Sequence, residues 1–303
     1  MQQILAAVLG VVICALSLGP ASADYPDKVV RIIVPVAAGG GVDVMARLLA
    51  QRLGDRLGQQ FIVENRAGAA GVIGTKSVIR SPADGYTLLY TPSSLSLTVA
   101  VSKSAPYDVA KDLTPIVNLA VSPYALAVHA SVPARTVGEF IAYAKANPGK
   151  ISYSSAGIEM VHVPNKGMSP ALVDVMGGHV QAMFASVPAL LTEKSDNVRP
   201  IAMAEKKRSQ LMPDLPTISE SGLADFEVGN WAGLLAPAGL DPAIVKKLHE
   251  EIIAILVTPD MKERIQTLGY DVLASTPEDF GAQIRNDVVR WAEVVKKADI
   301  PLN

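Results

Sequence analysis

The chain has 303 residues, of which 50% are hydrophobic and 18% charged, with a formal net charge of −2. That length can bury one large core or two medium ones. The near-neutral balance, with a pI of about 6.1, excludes a nucleic-acid surface, which needs a concentrated basic patch, and the apolar content excludes a disordered chain.

Residues 1–23 contain no charged side chain. An apolar run from Ile4 to Leu18, then Gly19-Pro20 and the small-x-small Ala21-Ser22-Ala23, reads as a secretory signal cleaved after Ala23. The run is short for a membrane anchor, and Ile13 is too bulky to precede a lipidated Cys14. Cys14 is the single cysteine. The exported chain therefore has none, which excludes disulfides, thiolate metal sites and a cysteine nucleophile. The expected destination is a bacterial periplasm.

Beyond the leader, the rhythm is short apolar strand, glycine-rich turn, amphipathic helix. Val29 to Val34 is a β-branched run suited to a buried parallel strand. Val42 to Leu57 repeats apolar residues at helical spacing. A strand at Phe61 to Val63, a helix through Gly74 to Arg80 and a strand at Tyr86 to Thr91 complete a β-α-β-α-β alternation, the pattern of a doubly wound sheet. Val117 to Val128 reads as a strand interrupted by Pro123, and Pro133 to Ala146 as a helix stopped by Asn147-Pro148-Gly149. Further strands are expected at Ile151 to Ser155, Val161 to Pro164, Val180 to Phe184, Val198 to Ala204 and Gly233 to Ala236. Helices are expected at Ser169 to Met176, near Pro188 to Glu193, and at Pro242 to Val257, Asp260 to Leu268 and Pro277 to Ala298.

No enzyme or metal signature stands out. His129, His162, His179 and His249 lack ligand spacing, and His249 falls on a polar, solvated helix face. No Gly-x-Ser-x-Gly elbow occurs, and Val44 stands at the third glycine of a dinucleotide fingerprint. What recurs is a strand opening into a Gly/Ala/Ser turn: Gly39-Gly40-Gly41, Gly68 to Gly74, Thr91 to Ser94 and Ser154 to Gly157. Each alone is an ordinary connection. Together, at the carboxyl ends of strands, they suit an anion held by backbone N–H groups.

VVRIIVPVAAGGGVDVMARLLAQRL, FIVENRAGAAGVIG, SPADGYTLLYTPSS, VHVPNKG, LPTISESGL and WAGLLAPAGL follow one another in this order. They resemble the Bug family, periplasmic solute receptors of tripartite tricarboxylate transporters. The resemblance implies a type II periplasmic binding protein: two doubly wound α/β lobes joined by two crossover strands near Ser122-Pro123 and Asn230-Trp231. Lobe 1 would comprise residues 24–122 and 231–303, and lobe 2 residues 123–230. It implies a small organic carboxylate as ligand, integral membrane transporter subunits as partners, a monomer, and no cofactor, metal or catalytic residue. By position, the ligand would meet Val36, Ala37, Ala38, Gly39, Gly40 and Asp43; Gly68, Ala69 and Ala70; and Thr91, Ser93 and Ser94. From the second lobe it would meet Ser154, Ser155, Ala156, Gly157 and Ala185. Asp43 suits a helix-capping role equally well.

The resemblance breaks after Gly157. Only Ile158-Glu159-Met160 precede Val161, too few for the helical crossover a parallel pair needs. Asn165 and Ala185 stand where the family usually has tyrosine and aspartate. A shortened second lobe with one uncovered sheet face and a weakened pocket is therefore expected. The alternatives to a transport receptor are a ligand-sensing protein that presents its closed form to a membrane sensor, and a degenerate non-binding paralogue.

Overall fold

The computed structural model describes residues 25–150, 168–192, 194–224, 226–297 and 302. The leader, the strands expected at Ile151 and Val161, the short connection between them and Asn165 lie outside these residues. The first half of the chain runs β1 (Val30–Val34), α1 (Gly41–Leu57), β2 (Phe61–Asn65), a 3-10 turn (Ala69–Gly71), α2 (Val72–Ile79), β3 (Thr87–Pro92), α3 (Ser94–Ala100), β4 (Leu113–Ser122), β5 (Tyr124–His129) and α4 (Val137–Ala146). The second half runs α5 (Met168–Met176), β6 (Ala182–Ser186), α6 (Val187–Thr192), β7 (Val198–Met203), β8 (Asn230–Pro237), α7 (Pro242–Leu256), α8 (Pro259–Thr267), β9 (Asp271–Val272) and α9 (Pro277–Lys297).

The strands form two sheets, one of six strands in the order β2-β1-β3-β8-β4-β9 and one of three in the order β6-β5-β7. β1 is parallel to β2 and β3, whereas β8 runs antiparallel between β3 and β4. β5 is antiparallel to both of its neighbours. The β-branched run of β1 explains its central place. Val30, Ile32 and Val34 bury against Met45, Leu49 and Leu53 of α1, while Ile33 enters the opposite core with Phe280 and Ile284 of α9. A strand covered on both faces has little room for polar residues.

Trp231 and Phe280 are fully buried and meet edge to face at 5.0 Å. The Trp231 indole N–H donates to Asp287 Oδ2 at 2.7 Å. Gly233 makes this packing possible, because a Cβ there would lie 2.3 Å from Phe280 Cζ and 3.0 Å from the Val117 carbonyl oxygen. Gly233→Ala is expected to lower stability by about 1–3 kcal/mol through overpacking, visible as a drop of several degrees in the thermal midpoint. An unchanged midpoint would mean that Phe280 swings aside freely.

The chain leaves the six-stranded sheet at Ser122, passes Pro123 and enters the other sheet at Tyr124. It returns at Asn230, which pairs with Ser122, so the two links lie side by side. An uncovered face on the three-stranded sheet is not what the described residues form. Phe140 and Ala144 of α4 cover Leu126, Val128 and Ile201 on one side. Leu172 and Val175 of α5 and Leu190 of α6 cover Ala125, Ala127 and Met203 on the other. The helices that follow the shortened connection supply this second cover. Within α4, Thr136 and Glu139 form a reciprocal capping box, which fixes its start.

Candidate functional site

The carboxyl ends of β1 and β3 lie next to each other. The chain steps from β1 to β2 on one side, and β3 pairs on the other. Such a reversal opens a crevice between the loops that follow the two strands. The loop after β1 is exposed from Ala37 to Gly41. Gly39 has φ +88°, which favours glycine, and Gly40 caps α1 without a side-chain bond. Among the described residues, the N–H groups of Gly41, Val42 and Asp43 have no hydrogen-bond acceptor. They form the positive end of a 17-residue helix.

Asp43 holds this loop from inside. It is 2% exposed. Its Oδ2 accepts the Gly39 N–H at 2.8 Å and the Arg47 Nε–H at 3.1 Å, and its Oδ1 accepts Asn65 Nδ2 at 2.9 Å. Asn65 Nδ2 also reaches the Val36 carbonyl oxygen at 3.2 Å, and Arg47 Nη2 donates to Asn65 Oδ1 at 2.9 Å. Burial pushes the Asp43 carboxyl up, but the bonds from Arg47, Gly39 and Asn65 outweigh it and hold the group below the usual carboxylate range. Both oxygens are therefore engaged within the protein.

The next turn is strained. Gly68, Ala69, Ala70 and Gly71 all have positive φ, at 127°, 46°, 52° and 92°. A non-glycine residue held there costs on the order of 1–3 kcal/mol and persists only where its surroundings impose it. The Thr98 hydroxyl binds the Ala70 carbonyl oxygen at 3.2 Å. Gly74 presses on the β1 loop, since a Cβ there would lie 2.7 Å from the Arg66 carbonyl oxygen and 2.9 Å from Pro35 Cβ. The Arg66 guanidinium pairs with Glu64 at 2.9 Å, leaving the exposed surface of these turns to neutral donors.

At the end of β3, Thr91 is buried and Ser94 exposed. The Ser93 hydroxyl donates to Asn230 Oδ1 at 2.9 Å, and the Ser93 N–H to the Trp231 carbonyl oxygen at 3.0 Å. Asn230 is also paired with Ser122 across β4 and β8, tying the crevice to the junction of the two sheets. Ala185 is fully buried and paired with Ala125, so its side chain faces core. Ser154, Ser155, Ala156 and Gly157 lie outside the described residues. His249 is half-buried rather than solvated, with Nε2 3.0 Å from the Ser275 carbonyl oxygen. Sequence reasoning missed the parts that Asn65 and Asn230 play in the site. Asn65 ends a strand three residues before Gly68, which was a usable signal; Asn230 is brought in only by tertiary pairing.

Two interleaved α/β units joined by adjacent strands, with free backbone donors beyond the carboxyl end of β1, have the make-up of a solute-binding receptor. The model of the tripartite tricarboxylate transporter family receptor matches residues 45–300. Protein BugT of Bordetella pertussis is 36% identical over 320 aligned positions, covering 98% of each chain. That span exceeds the 303 residues present here, so the relative carries positions without a counterpart in this chain. Among solved structures, an R. palustris protein with adipate is 31% identical with a TM-score of 0.75, covering 92% of this chain and 99% of its own. MatC from Rhodopseudomonas palustris with bound malate is 29% identical with a TM-score of 0.71, covering 89% and 100%. The chain belongs to the tripartite tricarboxylate transporter receptor family. This is a family of periplasmic solute-binding receptors rather than enzymes, and no helix among the described residues is long and apolar enough to cross a membrane.

Proposed function

We propose that this chain captures a small organic carboxylate in the crevice between the two sheets and delivers it, as a monomer, to integral membrane subunits of a tripartite transporter. The observation that carries the reading is the first turn of α1, whose free N–H groups open onto an exposed glycine loop. A carboxylate supplies acceptors only and complements them. Adipate and malate in the two related structures support the same ligand class. The ligand would meet the backbone of residues 37–41, the turn at Gly68 to Ala70 and the exposed Ser94, with Ser154 to Gly157 approaching from the opposite lobe. Asp43 acts as a positioning residue. We assign residues 24–122 and 231–303 to one lobe and 123–230 to the other, hinged where Ser122 pairs with Asn230. Closure of the lobes would let the membrane partner tell loaded receptor from empty. Export would remove the leader after Ala23.

Thermal unfolding of the mature chain with malate, adipate, citrate, glutamate and benzoate tests the reading. A ligand at a hundred times its Kd adds about 2.7 kcal/mol, a midpoint rise of roughly 5–10 °C for a chain of this size. A cooperative transition unmoved by every acid would overturn it.

A further inference from the structure

The wall of the crevice holds a tyrosine that the family comparison does not assign. Tyr270 lies between α8 and β9 and is 6% exposed. Its ring packs with Val36, Val42 and the fully buried Tyr90 in the core under α1. The phenol reaches the start of that helix: a Cβ on Gly41 would lie 3.1 Å from Tyr270 Oη and 3.3 Å from its Cε2. Among the described residues, the Tyr270 hydroxyl has no hydrogen-bond partner. The residue before it, Gly269, lies where α6, the helix that follows β6, presses in, with Pro188 Cγ 1.8 Å from the place its Cβ would take. Tyr270 thus sits at the seam between the sheets, beside the unpaired N–H groups of α1.

We propose that Tyr270 is a ligand contact, its hydroxyl joining the N–H groups of the first turn of α1 in receiving one carboxylate of the solute. The inference rests on the solute-binding function proposed above. The Tyr270 oxygen is not one of the fully enclosed unpaired atoms, as the Tyr90 oxygen is, and it lies at a helix end that already lacks acceptors. Backbone N–H groups and a phenol all donate, so the set selects an acceptor-only group and disfavours an ammonium. Burial, with Tyr124 nearby, raises the phenol above its ordinary value, which keeps it protonated as a donor. The Asp43 oxygens do not compete for it, being occupied by Gly39, Arg47 and Asn65. A side chain at position 41 would press on the phenol, which at 3.1 Å from the place of its Cβ would have to give by a few tenths of an ångström.

Tyr270→Phe keeps the ring and removes only the donor. Titration calorimetry would compare it with the unaltered chain, using whichever of malate, adipate, citrate, glutamate or benzoate gives the largest thermal shift. The expected result is a Kd raised about ten- to a hundredfold, the loss of one hydrogen bond to a charged group, with the ligand-free midpoint unchanged or slightly higher. Gly41→Ala, which pushes on the phenol, should weaken the same acid. Binding by Tyr270→Phe within twofold of the unaltered chain would overturn the inference while leaving the receptor function standing. Failure of the unaltered chain to bind any of the five acids would remove both.

Discussion

Raising the pH from about 5 to about 8 is expected to lower the stability of this protein by a few kcal/mol, and Glu205→Gln to abolish most of that slope. Glu205 follows β7 at the junction of the sheets. Its Oε1 accepts the Tyr124 N–H at 2.7 Å, while its Oε2 is enclosed and has no partner among the described residues. Burial pushes the carboxyl up to about 8, aided by the charges of Asp271 and Glu227 and opposed by hydrogen bonds from Tyr124 and from its own backbone N–H. Lys206 gives no relief, since its amine pairs with Glu227 at 3.7 Å. The folded state therefore keeps a proton that the unfolded chain, titrating near 4.5, has already lost. The stabilisation is complete below about 4.5 and declines through the window up to about 8, by about 1.4 kcal/mol per pH unit where the two states differ by one proton. Urea unfolding at a series of pH values reads this directly. Parallel curves for the unaltered chain and Glu205→Gln would refute it.

Asp43→Ala should have the next largest effect, on stability and on ligand capture together. Removing the carboxylate leaves the Gly39 N–H, Asn65 Nδ2 and one edge of Arg47 without their acceptor. Lost buried bonds of this kind lower stability by about 2–3 kcal/mol, a midpoint drop of roughly 5–10 °C. The loop from Ala37 to Gly41 would no longer be held, and the thermal response to carboxylates should disappear even at temperatures where the variant is fully folded. Asp43→Asn keeps one acceptor and should fall between. A variant that loses stability yet binds normally would show that the network supports the helix rather than the site.

The central architecture was legible because burial on both faces leaves a plain trace. β1 is almost wholly apolar, and α1 repeats Met45, Leu49 and Leu53 at one-turn spacing. α3 carries no helical signature in the sequence. Its SLSLTVA alternates polar and apolar residues at the period of a strand, and only its docking with Leu95, Ser96 and Thr98 inward makes it a helix. β9 spans two residues, too short for any periodicity. At the site, the glycine turns were readable because they are local. The ties of Asp43 to Asn65 and of Ser93 to Asn230 were not, because they join residues distant in the chain. Tyr270 carried no signal at all: its meaning depends on Gly41, at the other end of the sequence.

The place of β8 dictates the order in which the molecule can be assembled. β8 fills the middle of the six-stranded sheet, between β3 and β4, yet it is the last but one strand in the chain. Until it emerges, β3 and β4 each present a bare edge able to pair with any other strand, including one from a second nascent molecule. The three-stranded sheet is contiguous in sequence and meets no such delay. Synthesis from the amino end thus yields the smaller unit first and completes the larger only when nearly the whole polypeptide is present. A truncation after Gly229 should therefore aggregate rather than leave a smaller soluble receptor.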